Sequence, residues 1–360
     1  RGVGKTVLLE TLKPIATSEG WLWCGNDLSE QASISEENMS IRILADLALI
    51  TSAMVVKEIR QFALGFARTE RVINAPLDYN VLTKHFNDTP GLAADKLKST
   101  IEFVWSVLPQ AAISGIVFAY DEAQTLADHA ADKQFPMSLL LEVFQSIQRK
   151  KIPIMLTLSG LPTLPAKLVE ARTYSERMFH TIFLKPLEDE DARSAITIPI
   201  NDANCPISFS EDAIKVIMRE SAGYPFFIQY FCREVFDVWI AKNLIGEAIS
   251  VPVTDIIRKL DVDFFHGRWA RTTDRQRELL QVVSMLENAD LEFTIQEVVQ
   301  SSKDTLTKEF KPSHVSQMLS ALALDGLVYK NRHGKYSLAV PLLAQFIQRQ
   351  TGARLNWPVP

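Results

Sequence analysis

Residues 1–12 read RGVGKTVLLETL, and Gly4-Lys5-Thr6 leads straight into the apolar run Val7, Leu8, Leu9 and Leu12. This is the second half of the pattern GxxxxGK[ST], a phosphate-binding loop that opens a helix. The first glycine of the pattern, and the strand that should feed the loop, are expected before Arg1. Gly2 and Gly4 let backbone N–H groups close on phosphate oxygens, and a helix starting near Lys5 adds its positive end. Gly2, Val3, Gly4, Lys5, Thr6 and Val7 are therefore the nucleotide-binding candidates. Lys5 would reach the β- and γ-phosphates, and the Thr6 hydroxyl would be a Mg²⁺ ligand. The alternative is a glycine-containing turn before an ordinary helix.

A second stretch weighs against that alternative. In Gly115-Ile-Val-Phe-Ala-Tyr-Asp121-Glu122-Ala-Gln124, a run of strand-type hydrophobicity delivers two adjacent carboxylates to its C-terminal end, where α/β sheets place ligands. This is the form of a Walker B element. Asp121 would hold Mg²⁺, and Glu122 would polarise the attacking water. Pro153 to Ser159 reads as a buried strand beside it, ending in Ser159-Gly160-Leu161-Pro162. Ser159 at that tip is either a hydrogen-bond donor to the γ-phosphate or the lytic water, the role called sensor 1, or a strand cap that starts the next turn.

Between these stretches the pattern predicts a short strand at Trp21 to Cys24, a polar segment from Gly25 to Ser35, and helix from Ile41 to about Phe66. Asn74 to Pro90 reads as loop, and Ala93 to Leu108 as a helix with Leu97, Ile101, Val104 and Leu108 on one face. Phe135 to Lys150 is an amphipathic helix with Met137, Leu140, Leu141, Phe144 and Ile147 inward.

The motifs RGVGKT, VFAYDEAQ, LTLSGLPTL and SERMFHTIFLKPLEDEDA together resemble the AAA+ ATPases, specifically bacterial ATP-binding proteins similar to replication-initiator (origin-recognition) ATPases. The resemblance covers nearly the whole chain. It implies an α/β fold with a P-loop parallel-sheet core whose first strand is missing, a helical lid and a C-terminal winged helix. The implied domains are a core over 1–187, a lid over 188–260, a winged helix over 261–350 and a tail over 351–360. The implied activity is ATP hydrolysis with Mg²⁺, and the implied state is a homo-oligomer when ATP is bound. The arginine that reaches a neighbouring subunit's nucleotide in the family matches Arg177, with Arg172 second; the other reading is a solvated helix end.

Phe183 to Leu187 is a strand-like end to the core, and residues from 188 to about 250 read as all-helical. There Gly223-Tyr224-Pro225 resembles the GxP element that lies against the nucleotide base in the STAND signalling ATPases, which makes Pro225 a nucleotide-binding candidate. The sensor 2 arginine usual in initiators is absent at this point, with Arg233 the nearest substitute. Gly-Tyr-Pro is alternatively a helix-breaking turn.

From Asp261 the expectation is a linker, then three helices and a basic-tipped hairpin. Thr273 caps the first helix, Leu279, Leu280, Val283 and Leu286 lie on its buried side, Phe293 to Val299 is the second helix and Ser313 to Leu324 the third. Gly326 to Tyr329 and Tyr336 to Val340 form the two strands around Asn331 to Lys335. If this module binds double-stranded DNA, Lys311, Ser313, His314 and Gln317 face the major groove, while Lys330, Arg332, His333 and Lys335 lie along phosphates. The alternative is a protein-docking module of a nucleotide-gated signalling or defence switch. A third reading is that the 360-residue form, with half its phosphate loop upstream, is inactive.

Composition sets the outer bounds. The chain of 360 residues is 47% hydrophobic and 22% charged, enough for two or three domains. Its net charge of −5 is uneven, since residues 266–360 carry 12 basic against 9 acidic side chains and residues 1–265 carry 26 against 34. That split hints at a polyanion near the C-terminus. Cys24, Cys205 and Cys232 lack metal spacing and fit unpaired thiols in a reducing compartment. No apolar run approaches a membrane span and no signal-peptide layout opens the chain, so a cytoplasmic protein without a membrane partner is expected. GxSxG, HExxH, paired CxxC and a Rossmann GxGxxG are all missing from the sequence.

Overall fold

The computed structural model describes residues 2–64, 67–108, 112–205, 209–245, 251–289, 291–332 and 334–352. The side chains of residues 56–74, 243–245 and 332 lie outside the description. So do Arg1, Phe66, His333 and the tail from residue 353 onward. The chain divides into two compact units, one of residues Lys5–Ile182 and one of Arg1–Gly4 with Phe183–Pro360.

The Lys5–Ile182 unit runs α1 (Lys5–Ser18), β1 (Trp21–Asp27), α2 (Glu36–Thr51), β2 (Val55–Leu64), β3 (Ala67–Pro76), α3 (Tyr79–Asp88), α4 (Ala93–Val107), β4 (Gly115–Asp121), α5 (Pro136–Arg149), β5 (Ile154–Leu158), α6 (Leu164–Ala171) and α7 (Ser175–Met178). Its centre is a parallel sheet in the order β1-β4-β5, with Trp21 opposite Gly115 and Ile116 opposite Ile154. Every residue of β4 is buried, which is why its sequence reads as an unbroken apolar run. Phe118 and Tyr120 point into the main core, where Phe118 meets Phe144 of α5 edge to face at 5.0 Å. Val117 and Ala119 face the other way, towards Leu9 of α1 with Trp21 and Trp23.

Several expectations fail in this unit, each for a local reason. The helix placed over Ile41 to Phe66 stops at Thr51, whose hydroxyl donates to its own helix at Leu47 O and to Leu77 O. The chain then enters β2, which pairs antiparallel with β3 as a separate two-stranded ribbon. Asn74 to Pro90 is accordingly not loop: β3 runs to Pro76, and Asp78 caps α3 by accepting from Asn80 and Val81 N–H. The polar segment after Cys24 begins late, because β1 continues to Asp27 in register with β4.

The second unit continues α8 (Asp189–Asp202), α9 (Glu211–Ser221), α10 (Pro225–Ile245), α11 (Val253–Leu260), a π-helical turn at Asp261–His266, α12 (Gly267–Trp269), α13 (Asp274–Ser284), β6 (Phe293–Thr294), α14 (Ile295–Thr305), α15 (Pro312–Leu324), β7 (Val328–Arg332), β8 (Lys335–Leu338) and α16 (Leu343–Gln350). Phe183 to Leu187 forms no strand: Leu187 donates to Gly223 O instead, and Ile182 and Phe183 are 71% and 66% exposed. The linker expected from Asp261 is helical through Trp269. Phe265 holds it, fully buried and stacked 5.0 Å from Phe346, and Arg349 pairs with Asp261 at 2.9 Å. The second helix starts at Ile295 rather than Phe293. Thr294 caps it, accepting from Glu297 N–H while the Glu297 carboxylate accepts from Thr294 N–H, and Phe293 pairs with Tyr336 instead.

Within α13 to α16 the buried residues include Leu279, Leu280, Val283, Val298, Val315, Met318, Leu319, Leu322, Phe346 and Ile347, with β6-β8-β7 as a small antiparallel sheet. Leu286, expected on the buried side of the first helix, is only half-buried because α13 ends two residues earlier.

Candidate nucleotide site

Gly2 and Gly4 take φ of +74° and +84°, backbone that a side chain resists. The residues that follow turn into α1, whose first residue is Lys5. The first turn of a helix of this length carries N–H groups without intrahelical partners, a ready anion site when a glycine-rich loop precedes it. Val3 and Gly4 are half-buried, Val7 is exposed, and Leu9 is the residue of α1 that anchors the helix on the sheet.

The centre of the site is Asp121, at the C-terminal end of β4 and 4% exposed. Thr6 Oγ1 donates to its Oδ2 at 2.5 Å. Ser159 Oγ donates to Oδ1 at 2.8 Å, and Glu122 N–H donates to the same oxygen at 2.8 Å. Burial pushes the Asp121 pKa up, but the donors from Thr6, Ser159 and Glu122 together with the charge of Lys5 outweigh it and hold the carboxyl below its ordinary value. Three segments separated widely in sequence thus meet on one ionised carboxylate.

Strand register explains how. Ser159 N–H donates to Tyr120 O and Ala123 N–H to Ser159 O, both at 2.8 Å, so the ends of β4 and β5 are stitched together just past the sheet. Glu122 follows at φ +51°, left-handed backbone for a residue with a side chain, and is exposed. Behind the strand, Asp46 of α2 is fully buried and accepts from Tyr120 Oη at 2.9 Å, Asn26 Nδ2 at 2.7 Å and Arg42 Nε at 3.0 Å. This network ties β1, α2 and β4 together one residue before Asp121. Its signal in the sequence was the Arg42–Asp46 pair inside an apolar helix. Placed with the cation first, such a pair is the weaker order on an isolated helix, so its use lies in the tertiary partners.

Thr6 and Asp121 offer a hydroxyl and a carboxylate, hard oxygen donors suited to Mg²⁺, which keeps several waters and takes few protein ligands. Among the described residues no cluster of three or more His, Cys, Asp or Glu has metal-holding geometry. His314 is exposed at α15 and has no such neighbours.

Arg177 is exposed on α7, while Arg172 lies 4.0 Å from Glu142. Pro225 opens α10 directly after the Gly223-Tyr224 turn, and its ring lies 3.8 Å from where a Cβ on Gly4 would stand. Arg233 faces Asp237 at 4.0 Å and its side chain is 80% exposed. On α15, Lys311, Ser313, His314 and Gln317 are all exposed on the side opposite Val315, Met318, Leu319 and Leu322. Lys330 is exposed on β7 and Lys335 is half-buried at the start of β8, opposite Arg332 in register.

Among the described residues no helix is long and apolar enough to cross a membrane. Residues 262–347 match a domain family described as a domain of unknown function (DUF8462). No curated protein matches the chain. Among solved structures, the Walker-type ATPase PABY2304 of Pyrococcus abyssi is similar with a TM-score of 0.54 at 11% identity, over 97% of this chain and 89% of that one. The ORC2 protein of Aeropyrum pernix in its ADP form is similar with a TM-score of 0.51 at 15% identity, over 98% of this chain and 85% of that one. Likeness at such identity is likeness of fold, and the chain has the α/β P-loop fold of Orc-like, Walker-type ATPases.

Proposed function

We propose that the protein is an AAA+-type ATPase that couples ATP binding and hydrolysis to conformational change or assembly on duplex DNA, which it contacts through a C-terminal winged helix. The observation that carries the ATPase reading is the convergence of Thr6, Ser159 and the Lys5 charge on Asp121. The ADP form of the A. pernix relative is consistent with it.

In this reading Gly2 to Val7 cradle the phosphates with backbone N–H groups, and Lys5 neutralises the β- and γ-oxygens. Thr6 Oγ1 and the Asp121 carboxylate would hold a Mg²⁺ ion, which when bound would stabilise the charge on the transferring phosphoryl group. Glu122 orients a water and takes its proton as the water oxygen bonds the γ-phosphorus; the bond to the bridging oxygen breaks and ADP leaves with those electrons. Ser159 turns its single hydroxyl proton from Asp121 to the γ-phosphate or the water. Arg177, being exposed, serves a neighbouring protomer's nucleotide in an ATP-bound homo-oligomer. The 188–260 region acts as lid and 261–350 as winged helix, with Lys311, Ser313, His314 and Gln317 in the major groove and Lys330, Arg332 and Lys335 on phosphates.

The test is turnover by the full-length protein. Lys5→Ala and Glu122→Gln should each reduce kcat by orders of magnitude, and wild-type turnover in both variants removes the assignment. For DNA, affinity for a duplex should fall steeply between two salt concentrations; no binding at low salt removes the DNA half.

One observation favours a second reading, a STAND-like nucleotide-gated switch whose winged helix contacts protein. Arg233, the nearest sensor 2 substitute, is largely exposed and faces Asp237. In this reading hydrolysis is slow, which would appear as a single slow turnover followed by retained ADP.

A further inference from the structure

We propose that Gln124 is the positioning residue for the Glu122 carboxylate, and that it ties this carboxylate to the Gly160-Leu161 turn beyond β5; the inference rests on the ATPase reading above. A primary amide has one accepting end and one donating end, and here both are used. Leu161 N–H donates to Gln124 Oε1 at 2.9 Å, and a backbone N–H has no other role to play, so the orientation of the amide follows. The amino end then faces Glu122, and Nε2 donates to Glu122 Oε2. Turned over, the amide would set N–H against N–H at Leu161 and carbonyl against carboxylate at Glu122.

The backbone around this amide is fixed as well. Lys167 Nζ donates to Gln124 O at 2.6 Å, and Ala123 N–H donates to Ser159 O at 2.8 Å. Space is tight on the far side, since a Cβ added to Gly160 would stand 2.9 Å from Gln124 Oε1. Glycine at 160 is what lets the amide reach Leu161. Glu122 itself is exposed and has three rotatable side-chain bonds, so without a tether its carboxylate samples many positions. Gln124 supplies the tether from two residues along the chain.

The arrangement has a consequence for coupling. Ser159, Gly160 and Leu161 lie on one turn, and Ser159 Oγ already bonds Asp121. A γ-phosphate that engages Ser159 therefore acts on the turn that orients Gln124, and through it on Glu122. The link runs through named hydrogen bonds, so it can be cut without removing any group that touches nucleotide.

Gln124→Met keeps the shape of the side chain and deletes both hydrogen bonds; Gln124→Glu keeps the acceptor for Leu161 and replaces the donor with a like charge. In the full-length protein both should lower kcat about tenfold, leave the Mg–ATP Kd within about twofold of wild type and lower the melting temperature by no more than about 4 °C. Gly160→Ala, which pushes on the same amide from outside, should lower kcat in the same way. Gln124→Met with wild-type kcat overturns the inference, as does a loss of kcat matched by an equal loss of ATP affinity, which marks a structural residue. Glu122→Gln serves as the control: a wild-type protein that turns over no faster than this variant defeats the ATPase reading and this inference with it, whereas an active wild type with an equally active Gln124→Met defeats this inference alone.

Discussion

Replacing Ser159 by alanine isolates one strut of the Asp121 site. The substitution deletes the 2.8 Å donor to Oδ1 and nothing else, since Glu122 N–H still serves the same oxygen and Thr6 serves Oδ2. A hydrogen bond to a charged group contributes roughly 1.5–3 kcal/mol, and the retained donors put this one near the lower end, about 1.5 kcal/mol at pH 7. The pH dependence gives the loss a signature. Asp121 sits below its ordinary pKa partly because of Ser159, so the stabilisation is fully present above the unfolded carboxyl pKa near 3.8 and disappears as pH falls through the lower folded value. Urea titrations read by tryptophan fluorescence, with Trp21 and Trp23 on the strand that pairs with β4, should show the gap between wild type and Ser159→Ala open at pH 7 and closing below about pH 4. A gap that is zero at pH 7, or that stays constant down to pH 3, refutes the reasoning.

Other expectations follow from the packing. Tyr120→Phe leaves Asp46 its Asn26 and Arg42 donors, so it should cost about 1 kcal/mol, whereas Asp46→Ala strands Arg42 and Tyr120 and should cost about 3–5 kcal/mol, both by urea denaturation. Phe265→Ala removes a fully buried ring stacked on Phe346 and should cost about 3–5 kcal/mol, lowering the melting temperature of the Phe183–Pro360 unit. Cys24 is buried and its thiol is pushed well up by burial, and Cys232 is pushed up to about 12, so neither should react with a thiol reagent at neutral pH until urea opens the fold. If the tail module holds duplex DNA, Lys330→Ala should weaken every duplex alike and reduce the salt slope by about one, while Gln317→Ala should alter preference between sequences; equal effects of both would argue against the groove assignment.

Much of the frame was legible because local pattern and tertiary role coincide. A helix opened by Gly4-Lys5 and a strand whose every residue is buried leave signals that composition alone cannot blur. The same holds for α15, where Val315, Met318, Leu319 and Leu322 recur at helical spacing and are the residues that sink into the core. The misplacements came where a distant partner decides. The β2–β3 ribbon follows directly on a stretch rich in Ala, Leu and Ile that suits helix, and only the antiparallel pairing of Val55 with Pro76 settles where that helix gives way. Phe183 to Leu187 has strand chemistry but no strand to pair with among the described residues. At the site, Thr6, Asp121 and Ser159 could be singled out because each residue type matches a known task at a strand or helix end. Gln124 could not, since its partner is a backbone N–H at Leu161, and for Asp46 the i,i+4 spacing from Arg42 is visible while no spacing rule links it to the phenol of Tyr120.

The most direct test of the central claim measures how much Mg²⁺ strengthens ATP binding. If Thr6 and Asp121 hold one metal against one triphosphate, wild-type protein should bind ATP at least about tenfold more tightly with Mg²⁺ than with chelator, a gain of about 1.4 kcal/mol or more. Thr6→Ala and Asp121→Asn should each abolish most of that gain, and the double variant should lose no more than the worse single one. A Mg²⁺ gain that survives both substitutions, or losses that simply add, would contradict a shared nucleotide and metal site.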